Sequence, residues 1–280
     1  MKKLLVIVAG FPLMWGCRST RADQQTAQQT TQWTDNAIVV DGNNSDWTKP
    51  LVYYAKSEKL NYSILNDTAS LYILLSTQEE QTQQKILHGG LTVWINTTAE
   101  KSEENAVGVS FPTGSVSPRR RNDPVGGSQS NLRELRDYYL LGFDKGQGMQ
   151  AYKYGETNDR GIEVSLNFDA AGAMIYEAKI PLQAIYARNN AHNYAGRNLS
   201  VGFFIEALPP GYGGASSGGG RGGGGGGISI GGGFGMGGFG GSGLGIGIGS
   251  GALGGGRGGA AKAGKGSKIW QDITLAKPGR

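Results

Sequence analysis

From residue 38 onward, short runs of β-branched and aromatic residues alternate with turn-forming clusters. In Ile162-Glu163-Val164-Ser165-Leu166-Asn167-Phe168 every second residue is apolar, the period of a strand with one buried face. Similar runs occur at Ile38–Val40, Val52–Tyr54, Leu71–Leu75, Leu91–Ile95, Val107–Phe111 and Tyr138–Phe143. They continue at Met149–Tyr154, Ile175–Ile180, Val201–Leu208 and Ile269–Leu275. So many short strands with turn signals between them predict a mainly β chain, an antiparallel β-sandwich of jelly-roll type. One or two short helices interrupt it. Thr77-Gln78-Glu79-Glu80 has capping-box spacing, which predicts a helix from Thr77 to about His88, stopped by Gly89-Gly90. Asn131–Asp137 is a second, weaker helical stretch.

Both ends of this pattern are different in kind. Lys2-Lys3 precedes an uncharged, mostly apolar run from Leu4 to Gly16, too short to span a bilayer as a helix but suited to an export signal. Met14-Trp15-Gly16-Cys17 ends it, and a small residue before the single cysteine resembles a bacterial lipobox in which Cys17 is lipidated. Met14 and Trp15 depart from that motif, and the alternative is an ordinary signal peptide with an incidental cysteine. Residues 17–36 are polar, rich in Gln and Thr, and expected to tether the sandwich to the membrane through the lipid anchor. No acidic run follows Cys17, which favours an outer-membrane lipoprotein facing the periplasm over one at the cell surface.

Between the last two predicted strands lies a segment without core-forming capacity. Of the 50 glycines, 31 fall in Gly213–Gly266, which carries no acidic residue. Ordered glycines lose much backbone entropy and bury no side chain, so this stretch is expected to be a disordered low-complexity loop. Ile228, Ile230, Phe234, Met236, Phe239, Leu244, Ile246 and Ile248 punctuate it, giving it the character of a contact or spacer segment. Because Val201–Leu208 precedes the tract and Ile269–Leu275 follows it, the two are expected to pair, making it an insertion. The domain plan is therefore 1–16 signal, 17–36 tether, 37–212 with 267–277 sandwich, and 213–266 insertion.

Charge narrows the possible partners. The net charge is +5, yet Lys2, Lys3, Arg221, Arg257, Lys262 and Lys265 lie in the signal or the tract, and the rest of the chain carries about −1. Only Arg119-Arg120-Arg121 forms a basic cluster, so nucleic acid is not an expected partner. One cysteine rules out a disulfide framework. His88 and His192 lack metal-binding spacing, His88 being placed at a helix C-terminus and His192 in an exposed loop.

Val40-Asp41-Gly42 followed by Asp46-Trp47 resembles the opening of family-nine carbohydrate-binding modules and related DOMON-like sandwiches. Asn66-Asp67 before Leu71-Tyr72-Ile73, Leu91–Asn96, and Ile175-Tyr176-Glu177-Ala178-Lys179-Ile180-Pro181 resemble later strands of that group. The resemblance spans about residues 38–208 and resumes at 268. It implies a β-sandwich that captures glycans. Sugar binding needs aromatic platforms, and by residue type Trp47, Trp94 and Trp270 are the candidates, although they form no obvious pair and their strand-associated positions also fit the core. Asp41 and Asp46 flank a turn and are candidates for a calcium site, the alternative being turn and backbone capping. Asp67-Thr68-Ala69 resembles an envelope glycosylation acceptor at Thr68. No other cofactor is expected. The leading function is a non-enzymatic envelope lipoprotein whose sandwich binds a glycan or an envelope protein. The alternative is a carbohydrate-binding module proper, and a glycoside-active enzyme ranks third, since paired carboxylates are a spatial feature.

Overall fold

The computed structural model describes residues 29–114, 132, 135, 137–144, 147–186, 193–209 and 265–278. It is an antiparallel β-sandwich, as the alternating runs predict. The strands are β1 (Gln29–Thr30), β2 (Gln32–Trp33), β3 (Tyr53–Ala55), β4 (Leu60–Asn66), β5 (Ser70–Thr77), β6 (Leu91–Asn96) and β7 (Val107–Ser110). They continue with β8 (Asp137–Asp144), β9 (Gln147–Lys153), β10 (Glu163–Phe168), β11 (Met174–Pro181), β12 (Asn198–Ile205) and β13 (Ser267–Thr274). One sheet has the order β1-β13-β12-β6-β7-β8-β9; the other runs β10-β11-β5-β4-β2, with β3 also paired to β4.

Alternation decides which side chains lie between the sheets. Val93 and Ile95 of β6, Val201 and Phe203 of β12, Ile64 of β4, Ile73 of β5 and Tyr176 of β11 belong to one buried cluster. The rings of Tyr62 and Phe203 meet edge to face, with centroids 4.9 Å apart, joining the two sheets. On the far side of the second sheet, Leu65, Tyr72, Leu74 and Ile175 form a separate cluster with Ile38 and Trp47. Residues 36–52 thus cover that face like a second layer.

The chain does return after its glycine tract. β12 and β13 pair antiparallel over their whole lengths, from Asn198 opposite Thr274 to Ile205 opposite Ser267. Ile273 and Leu275 enter the main core. Residues 213–264 of the tract, together with Cys17, the Arg119–Arg121 cluster and His192, lie outside the described residues.

Several sequence expectations need correction. Residues 29–34, assigned to the tether, belong to the sandwich. β1 pairs parallel with β13 in one sheet, and β2 pairs parallel with β4 in the other, so the chain changes sheets at Thr31. Asn66 fixes this crossing: it is 1% exposed, and its Oδ1 accepts from the Thr31 hydroxyl and from Ala276 N–H at 2.8 Å. Polar side chains made the stretch look like linker, but here the pairing is through backbone and a buried amide.

Ile38–Val40 is not a strand. Ile38 is buried while Val39 is 60% exposed, and the Val39 N–H donates to Asp46 Oδ2 at 2.8 Å. The capping box at Thr77 does not form either. Thr77 ends β5, its hydroxyl donates to Lys59 C=O and accepts from Glu79 N–H, and helix α1 (Glu80–Gln84) starts later. A π-helical turn, Lys85–Gly89, follows α1 and leads to Gly90 at φ +112°. His88 lies in the last turn of that segment, at the helix C-terminus as expected, and is buried there. A second short helix, α2 (Leu182–Ile185), follows β11. The helical candidate Asn131–Asp137 lies mostly outside the described residues, and Asp137 begins β8.

Candidate functional site

The resemblance motifs converge on Glu177, which the Ile175–Pro181 motif contains but which is not among the candidate site residues. Glu177 lies on the outer face of β11 and is 0% exposed. Its Oε1 accepts from Trp47 Nε1–H at 2.6 Å, and its Oε2 accepts from the Gly42 and Asp41 N–H groups at 2.7 and 3.1 Å. Gly42 sits at φ +81°, and a Cβ there would stand 2.5 Å from Asn167 Cβ, so the turn requires glycine. One carboxylate therefore ties the Asp41-Gly42 turn and Trp47 to the sheet. Burial pushes its carboxyl up to about 7, against the lowering pull of the Trp47 and Gly42 hydrogen bonds. All three donors come from the protein, which makes this a structural lock.

The remaining nominated residues fall elsewhere. Asp41 Oδ1 accepts from Asn43 N–H, and Asp46 Oδ2 accepts from Val39 N–H, so both carboxylates cap backbone. Among the described residues no group of three His, Cys, Asp or Glu side chains is placed to hold a metal ion. Thr68 is exposed at the tip of the β4–β5 hairpin, beside Asp67, whose Oδ1 accepts from Ala69 and Ser70 N–H.

The three tryptophans do not form a shared platform. Trp47 is 4% exposed and Trp94 7%, so neither presents a ring face to a sugar; this corrects their nomination as platforms. The reason is packing against glycine: Trp94 lies over Gly108, and Trp270 over Gly202, where added Cβ atoms would come within 2.8 Å of each indole. Trp94 and Trp270 both meet Phe204 edge to face on the outer side of the first sheet. The 97–106 loop crosses this cluster, held by Lys268–Glu103 and Lys101–Asp272 ion pairs at 2.6 and 3.1 Å. Asn96, fully buried, shapes the loop by donating to Ser102 and Glu104 C=O. Only Trp270 keeps partial exposure.

Among the described residues, the aromatic ring that does face solvent is Tyr54. Strand β3 places Tyr53 inward, stacked on Tyr62 with centroids 4.9 Å apart, and turns Tyr54 outward at 57% exposure. Across the sheet Tyr54 stands opposite Asn61, and Asn61 opposite Ser76, giving one cross-strand row on the outer face. This row forms part of an open cleft of about 560 Å³, lined also by Lys59, Gln78, Glu79 and Asp169. Lys59 and Glu79 pair at 2.5 Å across the rim. The side chains of Asn61, Ser76 and Gln78 make no hydrogen bond to another described residue, leaving amide and hydroxyl groups available in the cleft. Sequence reasoning passed over Tyr54 because it weighed only tryptophans. The Tyr53-Tyr54 pair held the signal, since adjacent strand residues must point to opposite faces.

No protein-family model and no curated protein matches the chain. Among solved structures, it is similar to a family-nine carbohydrate-binding module of Caldicellulosiruptor kristjanssonii in complex with glucose. There the identity is 11%, the TM-score 0.30, and the match covers 65% of this chain and 80% of that one. It is also similar to the same organism's family-nine module in complex with cellotriose, at 12% identity and TM-score 0.29, covering 65% and 78% of the two chains.

Proposed function

We propose that the protein is a non-enzymatic, glycan-binding β-sandwich of the bacterial envelope, which takes sugar in the Tyr54 cleft. The observation that carries this reading is the solvent-facing Tyr54 ring in line with the unengaged polar groups of Asn61, Ser76 and Gln78. A pyranose offers an apolar C–H face and a girdle of hydroxyls. A flat phenol ring matches the first; amides and a hydroxyl match the second. An open cleft suits a segment of a longer glycan as well as a chain end.

The anchoring part of the proposal rests on the sequence of residues 1–17. A basic start, an apolar run and Gly16-Cys17 support export and lipidation at Cys17, with the periplasmic face of the outer membrane as the expected site. The glycine tract is then a spacer or contact segment on the same molecule.

A glycan array followed by calorimetric titration tests the binding reading, with glucose and cellotriose among the first probes. Tyr54→Ala is expected to abolish measurable binding while leaving the melting temperature within about 2 °C, because an exposed side chain supports little of the fold. A bound glycan whose affinity is unchanged in Tyr54→Ala would sink the assignment of the cleft.

A further inference from the structure

A second site lies at another edge of the sandwich, where β6 ends and β12 begins. Thr97, Tyr186, Arg197 and Asn198 line a cavity of about 250 Å³. Tyr186 and Tyr194 stack with centroids 5.3 Å apart, and the Arg197 guanidinium lies 5.0 and 6.0 Å from their two ring centres. Such stacking holds the planar fork without using its N–H donors. No carboxylate pairs with Arg197 among the described residues, unlike Arg160, which is paired with Asp144.

The other groups around the cavity are also donors. Asn198 Oδ1 is occupied, accepting from the Thr274 hydroxyl at 2.9 Å, which leaves its amide N–H₂ as the unengaged end. Thr97 contributes a hydroxyl. The hydroxyl of Tyr186, a residue only 6% exposed, is buried with no hydrogen-bond partner. Lys277 adds positive charge nearby: its Cε lies 3.4 Å from where a Cβ on Gly196 would stand. A donor-lined, positively charged cavity with an unpaired guanidinium fits an anion, and the planar fork fits a carboxylate in particular. The volume falls below the roughly 300–1,000 Å³ of drug-sized sites, which limits the ligand to about one ring.

We infer that this cavity binds the carboxylate of a single sugar acid, with Arg197 as the residue that grips it. The site is separate from the Tyr54 cleft: the residues lining the two do not overlap, and the strand residues of the cleft (Tyr54, Asn61 and Ser76) lie in the other sheet from Asn198.

Nuclear magnetic resonance titration of the full-length protein with sodium glucuronate, sodium acetate and glucose, at constant ionic strength, tests it. Saturable shifts of the Asn198 side-chain amide and the Arg197 Nε–H are expected with glucuronate, weaker ones with acetate, and none with glucose. Arg197→Gln should weaken glucuronate at least tenfold and Thr97→Val about threefold, while Tyr54→Ala leaves it unchanged. The threonine variant serves where loss of the guanidinium stack impairs folding. Absence of saturable glucuronate shifts overturns the proposal, and so does an affinity that neither variant alters. Acetate binding as tightly as glucuronate would overturn the assignment to a sugar acid.

Discussion

The Glu177 lock makes stability depend on pH in an unusual direction for a carboxylate. Its carboxyl is raised from the ordinary 4.5 to about 7 by burial, so between those values the folded protein holds a proton that the unfolded chain has released. The resulting stabilisation is fully present below about 4.5 and is lost as pH rises through 7. The displacement corresponds to about 3 kcal/mol of pH-dependent stability. Replacing Glu177 with Gln removes this dependence, but it does not imitate the protonated acid. A protonated carboxyl keeps lone pairs on both oxygens, whereas the Gln nitrogen has none to offer. Either Trp47 Nε1–H or the Gly42 and Asp41 N–H groups would then face another donor. A buried donor left unsatisfied costs about 1–3 kcal/mol, so the variant should be less stable than wild type at pH 5 by about that amount. Urea unfolding followed by tryptophan fluorescence at pH 5, 7 and 8.5 measures both effects. The difference between wild type and variant should shrink as pH rises. Glu206, whose carboxyl is also raised by burial, contributes to both curves and cancels in that difference. A constant difference across the three pH values would refute the reasoning.

Two further outcomes test packing and topology. Gly202→Ala places a methyl 2.8–3.0 Å from three ring atoms of Trp270, and should cost about 1–3 kcal/mol in thermal or chemical unfolding. Combined with Trp270→Ala, the same change should add little, because the ring it displaces is gone. Excising residues 210–264 and joining the ends leaves a roughly tenfold shorter β12–β13 connection, and loop-closure entropy alone should then raise stability by about 2 kcal/mol. Loss of folding on excision, read by circular dichroism, would show that the tract contributes to the sandwich.

The parts of this fold written in side-chain pattern were legible. In β10 the apolar positions Leu166 and Phe168 are buried and Glu163 is exposed, although Ser165 on the polar face is buried too, and Ile273 and Leu275 carried enough apolar character to mark a returning strand. The parts written in backbone were not. Gln29–Trp33 offers no apolar run, and its place in both sheets depends on Thr31, Asn66 and Ala276, which are distant in sequence. Thr77 carries the capping-box pattern, yet the chain uses its hydroxyl to close β5, because the same short polar spacing serves a strand end equally well. The sites divide likewise. Trp47 and Trp94 drew attention by residue type, while Tyr54 gains its exposure from position alone. Glu177 stood in plain view within an apolar strand. Its role became apparent only once the Asp41-Gly42 turn, some 135 residues earlier, was seen folded over it.

The crossing at Thr31 also has a mechanical meaning. With the membrane linkage proposed at Cys17, any pull on the molecule enters at Gln29. There the load meets two short parallel pairings, one in each sheet, backed by the Asn66 amide. The two pairings follow one another along the chain, so β1 takes the load before β2 does, and the bonds to Asn66 at Thr31 lie between them. Freeing the anchored end therefore means detaching it from one layer and then from the other.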